Sequence, residues 1–536
     1  VSDIFLPVSL DVARIRLRKL EYVGVSRNPY NGTVRRALRG GDKFGGTIEL
    51  TPQGGSSSTS RSKRRRMIAT LMQAGKYNTL LFCDPSYTPA GSFPSTELLT
   101  NGDFNSTAGW SGSSVSQSVA DNVMRSLRTT SGVVNLLYNS PSVTGIQYAP
   151  YIVRAMVARS VSASQLGIGV GSTTTDLLYG YSNAMSDGLL TKAIVPYGTS
   201  LFATIFDEQP TGIEAGEFYS TSFVSLTRCA LADAGPNSAL QSDTFNTTWA
   251  ASQGSVSANA VAAPDGTTTA DAFVENGAAG IEHSLSQSVT VSSSVLDYNA
   301  SVYLKDGANG HSWARLAMYE SGLGHLAYAF INLSTGALGT VSVSGANWTN
   351  ARAHVVNYGN GWYRLFITAR KVSSGVGIST YINSATADLT VSFTGNSLTA
   401  FYAWRAVFAQ SSGPTRGAQT TSAALASGTA QTGSSIYAKG LPVSTAGLLE
   451  IGDAVEIYTS LGSQYGVLTA RLNSDAAGLG SLQVWPAIRG SVADNAVIIV
   501  NKPMLRVIMP EGVPEYLTEP GLITTGGAID FEESAS

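Results

Sequence analysis

Glu97-Leu98-Leu99-Thr100-Asn101-Gly102-Asp103-Phe104, followed by Gly109-Trp110, has a shorter counterpart in Asp243-Thr244-Phe245, followed by Trp249. The two openings divide the middle of the chain into units of about 145 residues, each long enough for two packed antiparallel sheets of short strands. Farther along, Tyr151-Ile152-Val153-Arg154-Ala155-Met156-Val157 in the first unit lines up with Tyr298-Asn299-Ala300-Ser301-Val302-Tyr303-Leu304 in the second. The predicted centre of the molecule is a pair of jelly-roll-like β-sandwiches.

Composition supports β-structure over a helical enzyme. Only 13% of the 536 residues are charged, against roughly a quarter in an average soluble protein. Gly, Ser, Thr and Ala dominate from Asp84-Pro85 to about residue 425. A chain of this length exceeds one ordinary core and is expected to divide into several domains. No run of about 18 apolar residues predicts a membrane span, and Val1-Ser2-Asp3 does not open as a signal peptide would. Cys83 and Cys229 fall in different predicted domains, so neither a disulfide nor a thiolate metal site is expected.

Outside the two units the character changes. Residues 13–20 alternate, with Ile15 and Leu17 on one face and Arg14, Arg16 and Arg18 on the other, and Thr47-Ile48-Glu49-Leu50 resumes the alternation. One helix is predicted from about Ser60 to Gln73, with Met67, Ile68, Leu71 and Met72 on one face. After residue 435, Val455-Glu456-Ile457-Tyr458, Gly466-Val467-Leu468-Thr469 and Val497-Ile498-Ile499-Val500 read as a small antiparallel barrel. Residues 1–90 carry 15 Lys+Arg against 6 Asp+Glu (+9), whereas residues 430–536 carry 5 against 11 (−6). Complementary potentials of this kind predict that the two ends meet, within one subunit or between neighbours. Arg61, Lys63, Arg64, Arg65 and Arg66 are the candidate interface cations. Nucleic-acid binding by this run is the rival reading, which lacks an aromatic stacking platform.

The two ends resemble the distal tail proteins of long-tailed bacteriophages, which form the ring between tail tube and adsorption apparatus. The resemblance rests on Asn28-Pro29-Tyr30-Asn31-Gly32, on Asn78-Thr79-Leu80-Leu81-Phe82-Cys83-Asp84-Pro85, on Gln431-Thr432-Gly433-Ser434 with Leu449-Glu450-Ile451-Gly452-Asp453, and most specifically on Leu482-Gln483-Val484-Trp485-Pro486-Ala487-Ile488-Arg489. Relatives carry a Trp in the strand near Phe44, which this chain lacks. The resemblance implies a mainly β fold: a split β-barrel host domain with one helix, its first arm at 1–92 and its second at 435–536, with a linker at 413–434. The barrel is interrupted by sandwiches at 93–238 and 239–412. It further implies a homohexameric ring in the virion tail tip, with tail tube and hub or fibre proteins as partners and DNA only as cargo through the lumen. A free receptor-binding adhesin and a surface-polysaccharide depolymerase are the alternatives. On the split-domain reading, deleting about residues 95–425 should leave a soluble barrel.

The second unit resembles a β-sandwich module recurrent in phage tail fibres and tail tips, similar to carbohydrate-binding modules, through Ala263-Pro264-Asp265-Gly266-Thr267-Thr268-Thr269-Ala270-Asp271, Gly359-Asn360-Gly361-Trp362-Tyr363-Arg364 and Phe401-Tyr402-Ala403-Trp404. A sugar site needs an accessible aromatic plate and polar side chains for hydroxyls. The candidates are Trp313, Tyr319, Tyr328 and Trp348, with His311 and Arg315 as polar partners and host surface polysaccharide as ligand. Trp362 and Trp404 read as core. Asp265 and Asp271 are possible calcium oxygens, although an Asp-Gly turn is the plainer reading. His283, His311, His325 and His354 have no metal-ligand spacing, and no other cofactor is expected. Ser60-Arg61-Ser62-Lys63 has none of the companion motifs of an acyl-enzyme. Gly167-Ile168-Gly169-Val170-Gly171 reads as a strand with close backbone packing rather than a phosphate loop. No catalytic activity is expected.

Overall fold

The computed structural model describes residues 3–5, 12–20, 23–27, 34–38, 43–50, 53–54 and 79–83, then 87–509 except 95, 121–122, 131–134, 160–165, 174–178, 185–187, 208–217, 321–323 and 425–429, and finally 523–524 and 528–533. Among the described residues the secondary structure is β, with no α-helix. The helix expected over Ser60–Gln73 and the cations Arg61, Lys63, Arg64, Arg65 and Arg66 lie outside the described residues.

Each predicted unit contributes two sheets. In the first, Gly188–Ile194, Tyr151–Arg159, Phe218–Arg228, Val123–Arg128 and Val115–Ala120 form one sheet. Gly180–Ala184, Leu166–Gly171, Ser200–Asp207, Asn135–Asn139 and Trp110–Ser113 form the other. The second unit repeats this order strand for strand. Trp362–Lys371, Leu296–Asp306, Thr399–Gln410, Ala270–Glu275 and Gly254–Val261 form one sheet. His325–Asn332, Trp313–Glu320, Gly377–Ala385, Ser284–Thr290 and Ala250–Ser252 form the other. It carries the further edge strands Leu338–Ser344 and Trp348–Gly359, whereas the first unit has the short Val143–Thr144 paired with Ser200–Asp207.

The repeat holds at the level of atoms. Phe104 and Trp110 meet at 5.2 Å with their rings tilted by 57°, and Phe245 and Trp249 at 5.0 Å and 53°. Each indole N–H donates to a carbonyl nine residues upstream, Trp110 to Asn101 at 3.1 Å and Trp249 to Leu240 at 3.2 Å. Tyr151 stands opposite Arg228, the final residue of its unit's last strand, and Tyr298 stands opposite Gln410 in the same position. A buried Trp usually hydrogen-bonds its N–H, so a Phe-Trp opening that supplies its own carbonyl can start a sandwich twice in one chain. Alternation fills the cores: Ala314, Leu316 and Met318 on one strand meet Ala327, Ala329 and Ile331 on the next, all buried.

A closed six-stranded barrel follows the sandwiches, as expected for the second arm, but its composition differs from the split barrel foreseen. Its strands are Ala230–Ala232, Gln431–Lys439, Gly480–Val492, Gly462–Leu468, Ala454–Thr459 and Val497–Ile499. The seam is closed by Ala230–Ala232, the segment joining the two sandwiches, where Leu231 pairs with both Lys439 and Val497. First-arm strands instead join the end of the chain in a separate sheet, ordered Asp3–Phe5, Thr79–Cys83, Met504–Ile508, Ala528–Glu533, Lys43–Leu50, Val12–Leu20. The two ends therefore meet through backbone ladders. Phe44 packs edge-on against Trp485 at 4.8 Å and Tyr465 at 5.3 Å, bringing this sheet onto the barrel. Its N–H donates to Glu533, which also holds Arg489.

Residues 87–93 lace the first arm to the barrel. Tyr87 Oη donates to the Ala454 carbonyl and accepts its N–H, and Asp453 accepts the N–H groups of Ala90 and Gly91. The supposed linker at 413–434 is pinned over its first part: Thr415 is buried, Asp233 accepts the Arg416 N–H at 2.6 Å, and Arg364 donates to the carbonyls of Thr415 and Arg416.

Candidate aromatic face of the second sandwich

On Trp313–Glu320 the even positions enter the core, so Trp313, Arg315, Ala317 and Tyr319 face outward. Register fixes their neighbours. Ala317 lies between Tyr381 and Tyr328, Arg315 between Asn383 and Phe330, and Tyr319 between Ser379 and Leu326. With strands about 4.8 Å apart, Tyr381 and Tyr328 stand about 10 Å apart across Ala317. Their neighbours hold them in fixed orientations: Tyr319 meets Tyr381 edge-on at 5.7 Å, and Tyr328 meets Phe330 at 5.8 Å. Ala317 is only 1% exposed, so the rings close over this small residue.

Arg315 sits among these rings with its side chain 13% exposed. Its Nε and Nη2 donate to Asn383 Oδ1 at 3.2 and 3.1 Å, and Nη2 also reaches Glu282 at 2.9 Å. Asn383 in turn donates to Glu282 at 2.9 Å. Burial draws the guanidinium below its ordinary pKa, opposed first by Glu282 and then by Tyr328 and Tyr381. A guanidinium has five N–H donors. Nη1 of Arg315 is the nitrogen for which the described residues supply no acceptor. The arrangement thus combines ring faces, which can cover apolar C–H surface, with an oriented donor for a hydroxyl.

Trp313 ends the face. A Cβ on Gly339 would lie 2.7 Å from Cζ3 of Trp313, so glycine makes room for the indole. Asp388 stands beside it, accepting the N–H and hydroxyl of Thr340. His311 lies in the loop before this strand, its Nδ1 2.7 Å from Glu275 and its ring edge-on to Phe393. Trp348 requires a correction. It was expected as an accessible plate, but it is 1% exposed within the hydrophobic core. It begins the additional strand Trp348–Gly359, whose inward pleat faces the facing sheet. Trp362 and Trp404 are buried with Tyr303, as expected of core strands.

Sequence reasoning missed Tyr381, Asn383 and Glu282. The alternation of Ile378, Thr380 and Ile382 with Ser379, Tyr381 and Asn383 carried the available signal. The two possible calcium carboxylates are otherwise engaged. Asp271 accepts the N–H groups of Phe245 and Asn259, and Asp265 accepts both the N–H and hydroxyl of Thr267 in a local turn. No cluster of metal-ligating side chains occurs among the described residues.

The equivalent face of the first sandwich is built on glycine. Gly167, Gly169 and Gly171 point outward where Leu166, Ile168 and Val170 enter the core. The Phe206 ring lies over Gly167, where a Cβ would be 2.2 Å from its Cζ. Tyr181 meets Phe206 edge-on at 5.7 Å. The glycine-rich stretch is therefore a strand under a closely packed ring.

Comparison with known protein families finds no match, and comparison with curated proteins finds none. Among solved structures, the chain is similar to the tandem CBM22-1-CBM22-2 domain of Xyn10C from Paenibacillus barcinonensis, at 12% identity and TM-score 0.20, covering 61% of this chain and 100% of that one. Tandem CBM51 modules of a family 98 glycoside hydrolase from Streptococcus pneumoniae match at 8% identity and TM-score 0.19, covering 62% and 99%. The M60 catalytic domain with two CBM51 domains of Clostridium perfringens ZmpB matches at 9% identity and TM-score 0.15, covering 74% and 42%. At these TM-scores the likenesses carry no functional weight, which rests on the face itself.

Proposed function

We propose that this chain is a non-catalytic structural protein of a phage tail tip, a ring-forming distal tail protein whose second sandwich binds host surface glycans. The observation that carries the glycan reading is Nη1 of Arg315, left without an acceptor among the described residues, beside Trp313, Tyr319, Tyr328 and Tyr381. Pyranose rings offer an apolar face to aromatics and hydroxyls to oriented donors, and this face offers both complements. The tail-tip reading is supported by the end motifs, led by Leu482–Arg489, and by the shared sheet that joins both ends of the chain. On this reading the partners are five further copies, the tail tube and the hub or fibre proteins, and no cofactor is needed.

Two measurements test the proposal separately. A glycan array probed with the full chain should give hits among uncharged glycans that Tyr381→Ala abolishes; uncharged-glycan hits that survive this substitution would sink the glycan site. Electron microscopy of the purified chain should give six-fold rings with a central lumen. Compact monomers or three-fold rods would overturn the ring and favour a free adhesin.

A further inference from the structure

A cavity of about 500 Å³ opens where the two sandwiches and the barrel meet. Its walls include Ile146, Tyr148, Pro150, Leu441 and Val443, and its charged lining residues are Arg228, Arg352 and Lys439, with His354 beside them and no carboxylate in the lining. Two of the cations are engaged. Lys439 Nζ contacts both oxygens of Asp494, at 2.9 and 3.1 Å. The Arg352 guanidinium lies 3.7 Å from the centre of the Tyr148 ring, donates to the carbonyls of Asn350 and Ser412, and feels the opposing charge of Asp297.

Arg228 is different. Its Nε is buried without a hydrogen-bond partner, and no carboxylate pairs with it among the described residues. It ends the strand Phe218–Arg228, which places it at the junction where the chain enters the barrel strand Ala230–Ala232. A partly desolvated guanidinium with no carboxylate beside it is costly, and an anion that enters the cavity removes much of that cost. Apolar walls around a few convergent polar groups are the usual makeup of a small-molecule site, and cavities of this size hold one or two sugar rings.

The geometry points to a second binding site, independent of the aromatic face, that takes a small organic anion: a carboxylate- or phosphate-bearing sugar with its anionic group on Arg228 and its body against the apolar wall. The ligand would touch all three bodies and fix their arrangement.

The test is calorimetric titration of the full chain with glucuronate, glucose 6-phosphate, glucose and inorganic phosphate. At least one of the two acidic sugars should bind saturably, and glucose should not. Inorganic phosphate should bind more weakly than that sugar because it leaves the wall unused. Arg228→Gln should weaken binding at least tenfold without lowering Tm, and Tyr381→Ala should leave it unchanged, which separates this site from the glycan face. Should Arg228→Gln fail to fold, Arg228→Met, which keeps an apolar stem without the charge, provides the same comparison. Absence of saturable binding by both acidic sugars would overturn the site, as would unchanged affinity in the folded arginine variants. Phosphate binding as tightly as the acidic sugars would refute the role of the wall.

Discussion

Replacing Arg315 by Lys keeps the charge on the aromatic face but removes the planar fork. In the folded protein Nε and Nη2 converge on Asn383 Oδ1, and Nη2 also binds Glu282. A lysine ammonium can replace one of these contacts but cannot hold both while presenting a further donor outward. Loss of a charge-assisted hydrogen bond to a ligand hydroxyl is worth about 1.5–3 kcal/mol, or about a 10- to 150-fold rise in Kd. The stability cost should be smaller. Glu282 is 43% exposed and can be solvated, while the fully buried Asn383 keeps its bond to Glu282 but loses donors to Oδ1. That loss costs about 1–2 kcal/mol. Titration of a glycan found on the array, with a thermal melt of the same samples, separates the two effects. Unchanged affinity in Arg315→Lys would refute the reasoning, as would a loss of affinity seen only at temperatures where the variant is already unfolding.

Gly167→Ala should destabilise the first sandwich by about 1–3 kcal/mol through overpacking, because the new Cβ meets Phe206 at 2.2 Å. In a Phe206→Ala background calorimetry should find most of that cost gone, and an equal cost would place the strain elsewhere. Burial, followed by the Arg352 charge, holds His354 below its ordinary 6.5, with Asp475 opposing. The unfolded chain therefore binds more protons in the window below about 6.5, so this contribution to stability is present at higher pH and is lost as pH falls. Tm of the wild type should thus drop more than that of His354→Gln between about pH 7 and about pH 5, whereas parallel curves would contradict the assignment. Deleting residues 95–425 should yield aggregated or non-cooperatively melting protein, because it removes the barrel strand Ala230–Ala232. Retaining 228–236 between short Gly-Ser linkers should restore a cooperative melt; a well-folded complete deletion would show that the seam closes without this strand.

The sequence by itself determined what local chemistry can specify. Phe104 with Trp110 and Phe245 with Trp249 marked two equivalent starts because each indole takes its partner within nine residues. Period-two alternation over 313–320 suffices to put Trp313, Arg315 and Tyr319 on one face, since successive side chains of a strand point to opposite sides. Tertiary structure alone decided which strands stand beside that face. Tyr381 and Asn383 reach Ala317 and Arg315 through a register set by distant segments, and Trp348 is buried because its additional strand turns it into the core. The barrel seam was equally hidden: Ala-Leu-Ala at 230–232 is too short to show a period, and only the two strand edges it joins make it structural.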